Sequence, residues 1–246
     1  QFGVKRSYIL GQAPLASTLD HWWQMIWQSE VHVIVMLSRL IERGKEKGHL
    51  YWPKALNSPT AFGAYTLTML EDGHVPGSRE LQKRVMQLQG PEGTRTVTQF
   101  QYMGWPDHGV PKTPQPLVDL LRLIDDTRMP GPLLVHCSAG VGRTGVLVTA
   151  HIVLGRLQLY LQEHGRPSGH QYNVMEVIWL LRRCRNHVIQ TPEQFAFCYW
   201  LLVQECERII KDHKARSVHE PKARSGLCEI EPLGCDGGIT IQPLNF

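Results

Sequence analysis

"VHCSAGVGRTG", residues 135–145, passes from an apolar run through a string of small residues to an arginine flanked by glycine and threonine. A strand, a loop of small residues and a helix opening near Arg143 turn successive backbone N–H groups into one concavity, at the positive end of a helix dipole. That concavity fits a tetrahedral dianion. Gly140, Gly142 and Gly145 let the chain wrap without Cβ clashes, and Arg143 can offer a planar fork to two of the anion's oxygens. The backbone of Ser138, Ala139, Gly140, Val141 and Gly142 forms the cradle, with Cys137 at its base. There the amides and the dipole favour a thiolate, a nucleophile aimed at phosphorus. A nucleotide-binding P-loop is disfavoured because no Gly-Lys-Ser/Thr follows, and a metal site because neither a Cys-x-x-Cys nor a His-Glu-x-x-His spacing occurs.

Outward from this loop the chain reads as alternating α and β. "GPLLV" (131–135) is a short buried strand, and "RTGVLVTAHIVLGRLQLYL" after the cradle is a long helix. Upstream, Ser17-Thr18-Leu19-Asp20 opens the amphipathic run "LDHWWQMIWQ", and "VHVIVML" (31–37) is a buried strand. Trp22, Trp23 and Trp27 fall at helical spacing and belong to the core. "AYTLTML" (64–70) and "TRTVTQFQY" (94–102) are strand candidates that suggest hairpins in a mixed sheet. "GWPDHGVPKTP" forbids regular structure, and beyond it Leu117, Leu120, Leu121 and Ile124 make a helical stripe. Asn173 with Glu176, and Thr191 with Gln194, cap two further helices. The expected fold is α/β, a twisted mixed sheet flanked by helices in one domain that ends near Ile210. Residues 211–246 are rich in breakers and read as a flexible tail. His213, His219, Cys228 and Cys235 in it have no regular metal-ligand spacing.

A 246-residue chain that is 42% hydrophobic and 20% charged can bury a real core, and a formal charge of +4 spread along the sequence argues against nucleic-acid binding. The six cysteines form no disulfide framework and no Asn-x-Ser/Thr acceptor occurs, which points to a reducing, cytoplasmic setting. The longest apolar stretch, near Gly145 to Leu154, is too short to suggest a membrane span. The first residue is Gln rather than Met, so the chain reads as a piece of something longer, such as the cytosolic part of a larger protein.

"VHCSAGVGRTG" resembles the signature loop of the tyrosine-specific protein phosphatases. The resemblance runs over about residues 6–206 and is carried by "RSYILGQAPL", "HWWQMIW", "IVML", "YWP", "TRTVTQFQYMGWPDHGVP" and "VIQTPEQFAFCYW" in the family's order. It implies a metal-free, cofactor-free hydrolysis of phosphotyrosine in proteins, through a cysteinyl phosphate on Cys137 held by Arg143. A phenolate with pKa near 10 is a poor leaving group at neutral pH, so a proton donor is required. By the motif that donor is Asp107, in a loop for which Trp105 and Pro106 serve as hinge and stiffener. Gln190 and Gln194 would hold the water that releases phosphate, and the Thr144 hydroxyl would assist the departing thiolate. Glu42 aligns with a glutamate that orients the cradle arginine, and Lys47 with a loop lysine near the acid. Arg182 and Arg185 match helix arginines behind the site, and His136 abuts the nucleophile.

The family's N-terminal segment, with its Asn-Arg-Tyr-x-Asp recognition loop, is expected to be missing here, and "QEHGRPSGHQY" is an insert with no functional account. The partners implied are phosphotyrosine-containing proteins, met by a monomer. Two alternatives stay open: a catalytically silent domain that captures phosphotyrosyl partners or serves as a scaffold, and a dual-specificity phosphatase.

Overall fold

The computed structural model describes residues 7–106, 108–127, 129–167, 173–219 and 240–243. Their centre is an eight-stranded mixed sheet. In chain order its strands are β1 (Ser7–Gly11), β2 (Val33–Met36), β5 (Pro59–Phe62), β6 (Tyr65–His74), β7 (Leu81–Gly90), β8 (Gly93–Tyr102), β9 (Leu133–His136) and β10 (Thr240–Pro243), and a separate hairpin pairs β3 (Ile41–Glu42) with β4 (Lys45–Glu46). The spatial order is β10-β1-β9-β2-β8-β7-β6-β5. From β10 to β8 the pairing is parallel, and from β8 to β5 it is antiparallel.

Parallel strands covered on both faces need apolar side chains on both. β1, β2 and β9 meet that need. Tyr8, Leu10, Val33, Val35, Leu133 and Val135 enter one core, while Ile9, Ile34, Met36 and Leu134 enter the other. The first core is closed by α2 (Gln115–Asp126), α3 (Gly142–His164), α4 (Val174–Cys184) and α5 (Pro192–His219), the second by Trp22, Trp23 and Ile26 of α1 (Leu19–Gln28). α3 is long and apolar enough to cross a membrane by length and composition, but 72% of its apolar window is buried inside the fold, as suits a core helix.

Local chemistry sets the helix ends. The Asn173 side chain accepts the Glu176 N–H at 3.2 Å, and Thr191 Oγ1 accepts the Gln194 N–H at 3.2 Å. At α1 the expected forward cap is replaced: Thr18 Oγ1 turns back to accept the Leu15 N–H at 3.0 Å, because a short 3-10 turn over Ala16–Thr18 precedes the helix. Two elements lie beyond the expected boundary near Ile210. α5 continues to His219, braced where Arg208 pairs with Glu205 and with Asp212 one turn on, and Thr240–Pro243 run parallel to β1 at the sheet edge.

Candidate active site

Cys137 follows the last residue of β9, at the carboxyl end of the parallel strands, where ligands collect in open α/β sheets. Gly140 N–H donates to Cys137 Sγ at 3.3 Å, so the sulfur, 5% exposed, faces backbone amide rather than hydrocarbon alone. The wrap depends on Gly140, whose φ is +69° and whose absent Cβ would land on the Gly11 carbonyl. Arg185 sits behind the loop and takes the carbonyls of Gly140 (Nε, 2.8 Å) and Ala139 (Nη2, 2.9 Å). With those oxygens tied outward, the neighbouring N–H groups are left to the concave side. Burial draws the Arg185 guanidinium's pKa down, and the Cys137 charge opposes that shift.

Arg143 lies on the first turn of α3 with its fork against Glu42, through Nη1–Oε1 at 2.6 Å and Nη2–Oε2 at 2.9 Å. Nη1 also donates to the Leu37 carbonyl and Nη2 to the Pro106 carbonyl. Glu42 is buried on the short β3–β4 hairpin. Burial alone would raise its pKa, but the Arg143 hydrogen bond and charge, the Arg39 N–H and the Lys47 charge outweigh it and hold the carboxyl below its ordinary range. Bidentate charge-assisted pairing of this kind fixes a guanidinium plane. Trp105 is buried, donates from Nε1 to the Gly109 carbonyl at 3.2 Å, packs on Phe197, and has Arg143 5.9 Å from its ring centre. Pro106 is exposed next to it. Asp107, the candidate proton donor between these anchored residues, lies outside the described residues.

Gln190 and Gln194 reach the cradle from the far side. A Cβ on Gly142 would sit 2.9 Å from Gln190 Oε1 and from the Gln194 amide, so only glycine leaves room for both. Gln194 Oε1 accepts the Gln190 N–H at 3.0 Å, which ties the two together. The loop ahead of them is strained. His187 has φ of +62° and Ile189 +58°, an uncommon conformation for a β-branched residue. Arg182 clamps it by donating to the carbonyls of Val188 (2.9 Å) and Ile189 (3.0 Å), and the Ile189 N–H donates to the Val141 carbonyl. A cavity of about 190 Å³, lined by Arg182, Asn186, His187, Ile189 and Gln190, opens beside this loop.

Thr144 is fully buried, and its Oγ1 has no hydrogen-bond partner among the described residues. Ser138 and Ala139 are exposed at the rim, and the Ser138 carbonyl accepts the Ala13 N–H at 3.0 Å. Lys47 is half-buried and close enough for its charge to act on Glu42. His136 is fully buried under the loop. Its Nδ1 lies 3.1 Å from the Cys137 carbonyl and its Nε2 lies 2.8 Å from Tyr51 Oη, and burial pushes its pKa down to about 4.

A sequence model of the protein-tyrosine phosphatase family matches residues 1–204. The chain belongs to this family. It is 33% identical over 205 residues to mouse tyrosine-protein phosphatase non-receptor type 20, covering 82% of the chain and 45% of that protein. To mouse tyrosine-protein phosphatase non-receptor type 9 it is 36% identical over 221 residues, covering 83% and 35%. The chain thus spans less than half the length of these curated relatives. Among solved structures, the catalytic domain of human protein tyrosine phosphatase non-receptor type 18 superposes with a TM-score of 0.73 at 32% identity, covering 81% of this chain and 69% of that one. The mixed sheet flanked by helices is therefore the fold of the family's catalytic domain.

Tyr51 takes no part in the sequence-based site although it touches His136. The available signal was the tyrosine inside "YWP", an aromatic with a polar tip in a stretch otherwise suited to a core.

Proposed function

We propose that this chain hydrolyses phosphotyrosine in proteins through a covalent cysteinyl phosphate. The observation that carries the reading is the Gly140 N–H bonded to Cys137 Sγ within a loop whose Ala139 and Gly140 carbonyls are both held away by Arg185. In the first step the sulfur of Cys137 attacks phosphorus, the S–P bond forms as the P–O bond to the tyrosyl ring breaks, and Asp107 gives its proton to the leaving phenolate. Arg143 and the cradle amides take up the equatorial oxygens, where phosphoryl charge is concentrated. In the second step a water placed by Gln190 and Gln194 attacks phosphorus and yields its proton to Asp107. The S–P bond breaks, inorganic phosphate leaves, and the Thr144 hydroxyl stabilises the returning thiolate. No electron transfer is needed, since phosphorus keeps its oxidation state throughout.

The deciding experiment measures para-nitrophenyl phosphate turnover by the purified chain against Cys137→Ser, with binding of a phosphotyrosyl peptide measured alongside. Turnover that disappears in the variant while peptide binding persists is the expected result. Peptide binding without wild-type turnover would replace this reading with that of a silent capture domain. Equal rates on phosphoseryl and phosphotyrosyl peptides would replace the tyrosine specificity with dual specificity.

A further inference from the structure

Beneath the nucleophile, buried polar side chains that the chemistry above does not use form a directed string of hydrogen bonds. It starts at Arg84 on β7, which is 6% exposed. Arg84 Nη1 donates at 2.8 Å both to Gln99 Oε1 and to Gln101 Oε1, on the neighbouring strand β8. A guanidinium has donors only, so each amide must turn its oxygen to Arg84 and its NH2 away, which resolves an orientation that an amide's shape leaves open. Gln99 Nε2 then donates to Tyr51 Oη at 2.5 Å. With that oxygen accepting, the phenolic proton is directed to His136 Nε2 at 2.8 Å. His136, neutral, is left with its proton on Nδ1, facing the Cys137 carbonyl. Burial raises the Tyr51 pKa against the opposing influence of Gln99 and Arg84, which keeps the phenol a donor.

A second branch leaves through Gln101, whose Nε2 donates to the Ser38 carbonyl at 2.9 Å. The residues on either side of Ser38 hold the other half of the site. The Leu37 carbonyl accepts from Arg143, and the Arg39 N–H donates to Glu42 Oε1 at 3.2 Å. Burial draws the Arg84 pKa down and the Asp72 charge opposes that shift; Asp72 Oδ1 lies 3.1 Å from Nε, and the guanidinium lies 4.4 Å from the Trp52 ring centre. Filling this volume with a buried guanidinium is costly compared with an apolar side chain, unless its directed donors are what the site requires.

We infer that Arg84 is a positioning residue for both halves of the phosphate site, setting the Cys137 backbone through Gln99, Tyr51 and His136 and the Arg143–Glu42 pair through Gln101 and Ser38. This rests on the reading of Cys137 as nucleophile and Arg143 as phosphate ligand.

Two readouts separate the branches without requiring turnover: the rate at which iodoacetamide alkylates Cys137 at fixed pH, and the inorganic phosphate concentration that half-protects it. Misplacing reacting groups by even an ångström costs on the order of 100-fold, so Arg84→Met should lower the alkylation rate and weaken phosphate protection by about 10-fold or more each. Gln99→Met should move the alkylation rate alone, Gln101→Met the phosphate protection alone, and Arg84→Lys should restore part of both. A folded Arg84→Met chain with both readouts unchanged would overturn the assignment, as would glutamine variants that move both readouts equally. If Arg84→Met does not fold, the two glutamine variants decide by the same criterion. A wild type that turns nothing over, with glutamine variants that still split the two readouts by branch, would sink the phosphatase reading and keep the Arg84 assignment. Turnover without such a split would do the reverse.

Discussion

In the parallel half of the sheet, β1, β2 and β9 are short and apolar on both faces, whereas in the antiparallel half β6, β7 and β8 are each ten residues long and mix buried with exposed positions. The far end of β6, Leu70 to His74, is exposed throughout. The halves do different work. Short doubly covered strands end together, and their carboxyl ends deliver His136 and Cys137 to one edge with little freedom to slide. The long antiparallel strands have surplus length that tolerates charge, and one charge among those on β7, Arg84, is turned inward beneath the site. Cys137 therefore stands on apolar packing from one side and on a polar scaffold from the other.

The sharpest way to break this contrast uses two glycines of the same backbone hand. Gly140, in the parallel half, has φ +69° and a backbone carbonyl where its Cβ would be; Gly77, in the β6–β7 turn, has φ +80° and open space. An alanine at either position carries a left-handed penalty of about 1–2 kcal/mol. Only Gly140→Ala must also push the Gly11 carbonyl away and open the cradle, so its turnover should fall by on the order of 100-fold or more. Gly77→Ala should lose stability alone. Assaying turnover and thermal unfolding of both variants checks this, and comparable activity in the two would show that the cradle yields more readily than its packing implies.

The wrap of the loop after β9 was legible in the sequence because its determinants are local. Cys137, the glycines and Arg143 lie within one turn, and small residues between a strand and a helix leave few other conformations. Central strands were legible for a related reason, since burial on both faces leaves unbroken apolar runs in β2 and β9. Glu42 and Gln190 could be placed only through the family resemblance, because they reach the site from remote loops whose docking no spacing encodes. The Arg84 string was not legible as a string. In "LQKRVMQLQG" the alternation of Met86 and Leu88 with Gln87 and Gln89 puts Arg84 on the apolar face, but its partners Gln99, Gln101 and Tyr51 come from other segments that no spacing links to it. The register that brings Gln99 and Gln101 beside it is set by ten cross-strand pairs between β7 and β8.

His136, where the two halves meet, sharpens the comparison through pH. Its ordinary value is 6.5, and burial lowers it to about 4 in the folded chain. Between those values the unfolded chain binds a proton that the folded chain does not, so stability rises with pH across this window. The contribution is complete above about pH 6.5 and is lost as the solution is acidified towards pH 4, a total of about 3 kcal/mol. Replacing His136 by asparagine, which cannot titrate, should flatten that part of the stability curve in denaturant titrations run at successive pH values. An unchanged slope would mean that protonation of His136 is accommodated in place, and that the string below Cys137 is less dry than its burial indicates.

The smallest expected effect is the most direct test of what turns a charge into a structural group. Lys83 and Arg84 are neighbours on β7, each with a carboxylate on β6: Lys83 Nζ is 3.3 Å from Glu71 Oε2, and Arg84 Nε is 3.1 Å from Asp72 Oδ1. The distances barely differ, but the surroundings do. The Lys83 and Glu71 side chains are 43% and 63% exposed, against 7% and 33% for Arg84 and Asp72. Solvent screens the first pair and its long side chains lose entropy on pairing, so Lys83→Ala should change stability by no more than about 0.5 kcal/mol. Denaturant midpoints for Lys83→Ala and Arg84→Met, compared at low and high salt, read the contrast. A salt-sensitive loss at Lys83 as large as the loss at Arg84 would mean that the outer half of the sheet is held by its surface charges, and that the inward turn of Arg84 is one ion pair among several.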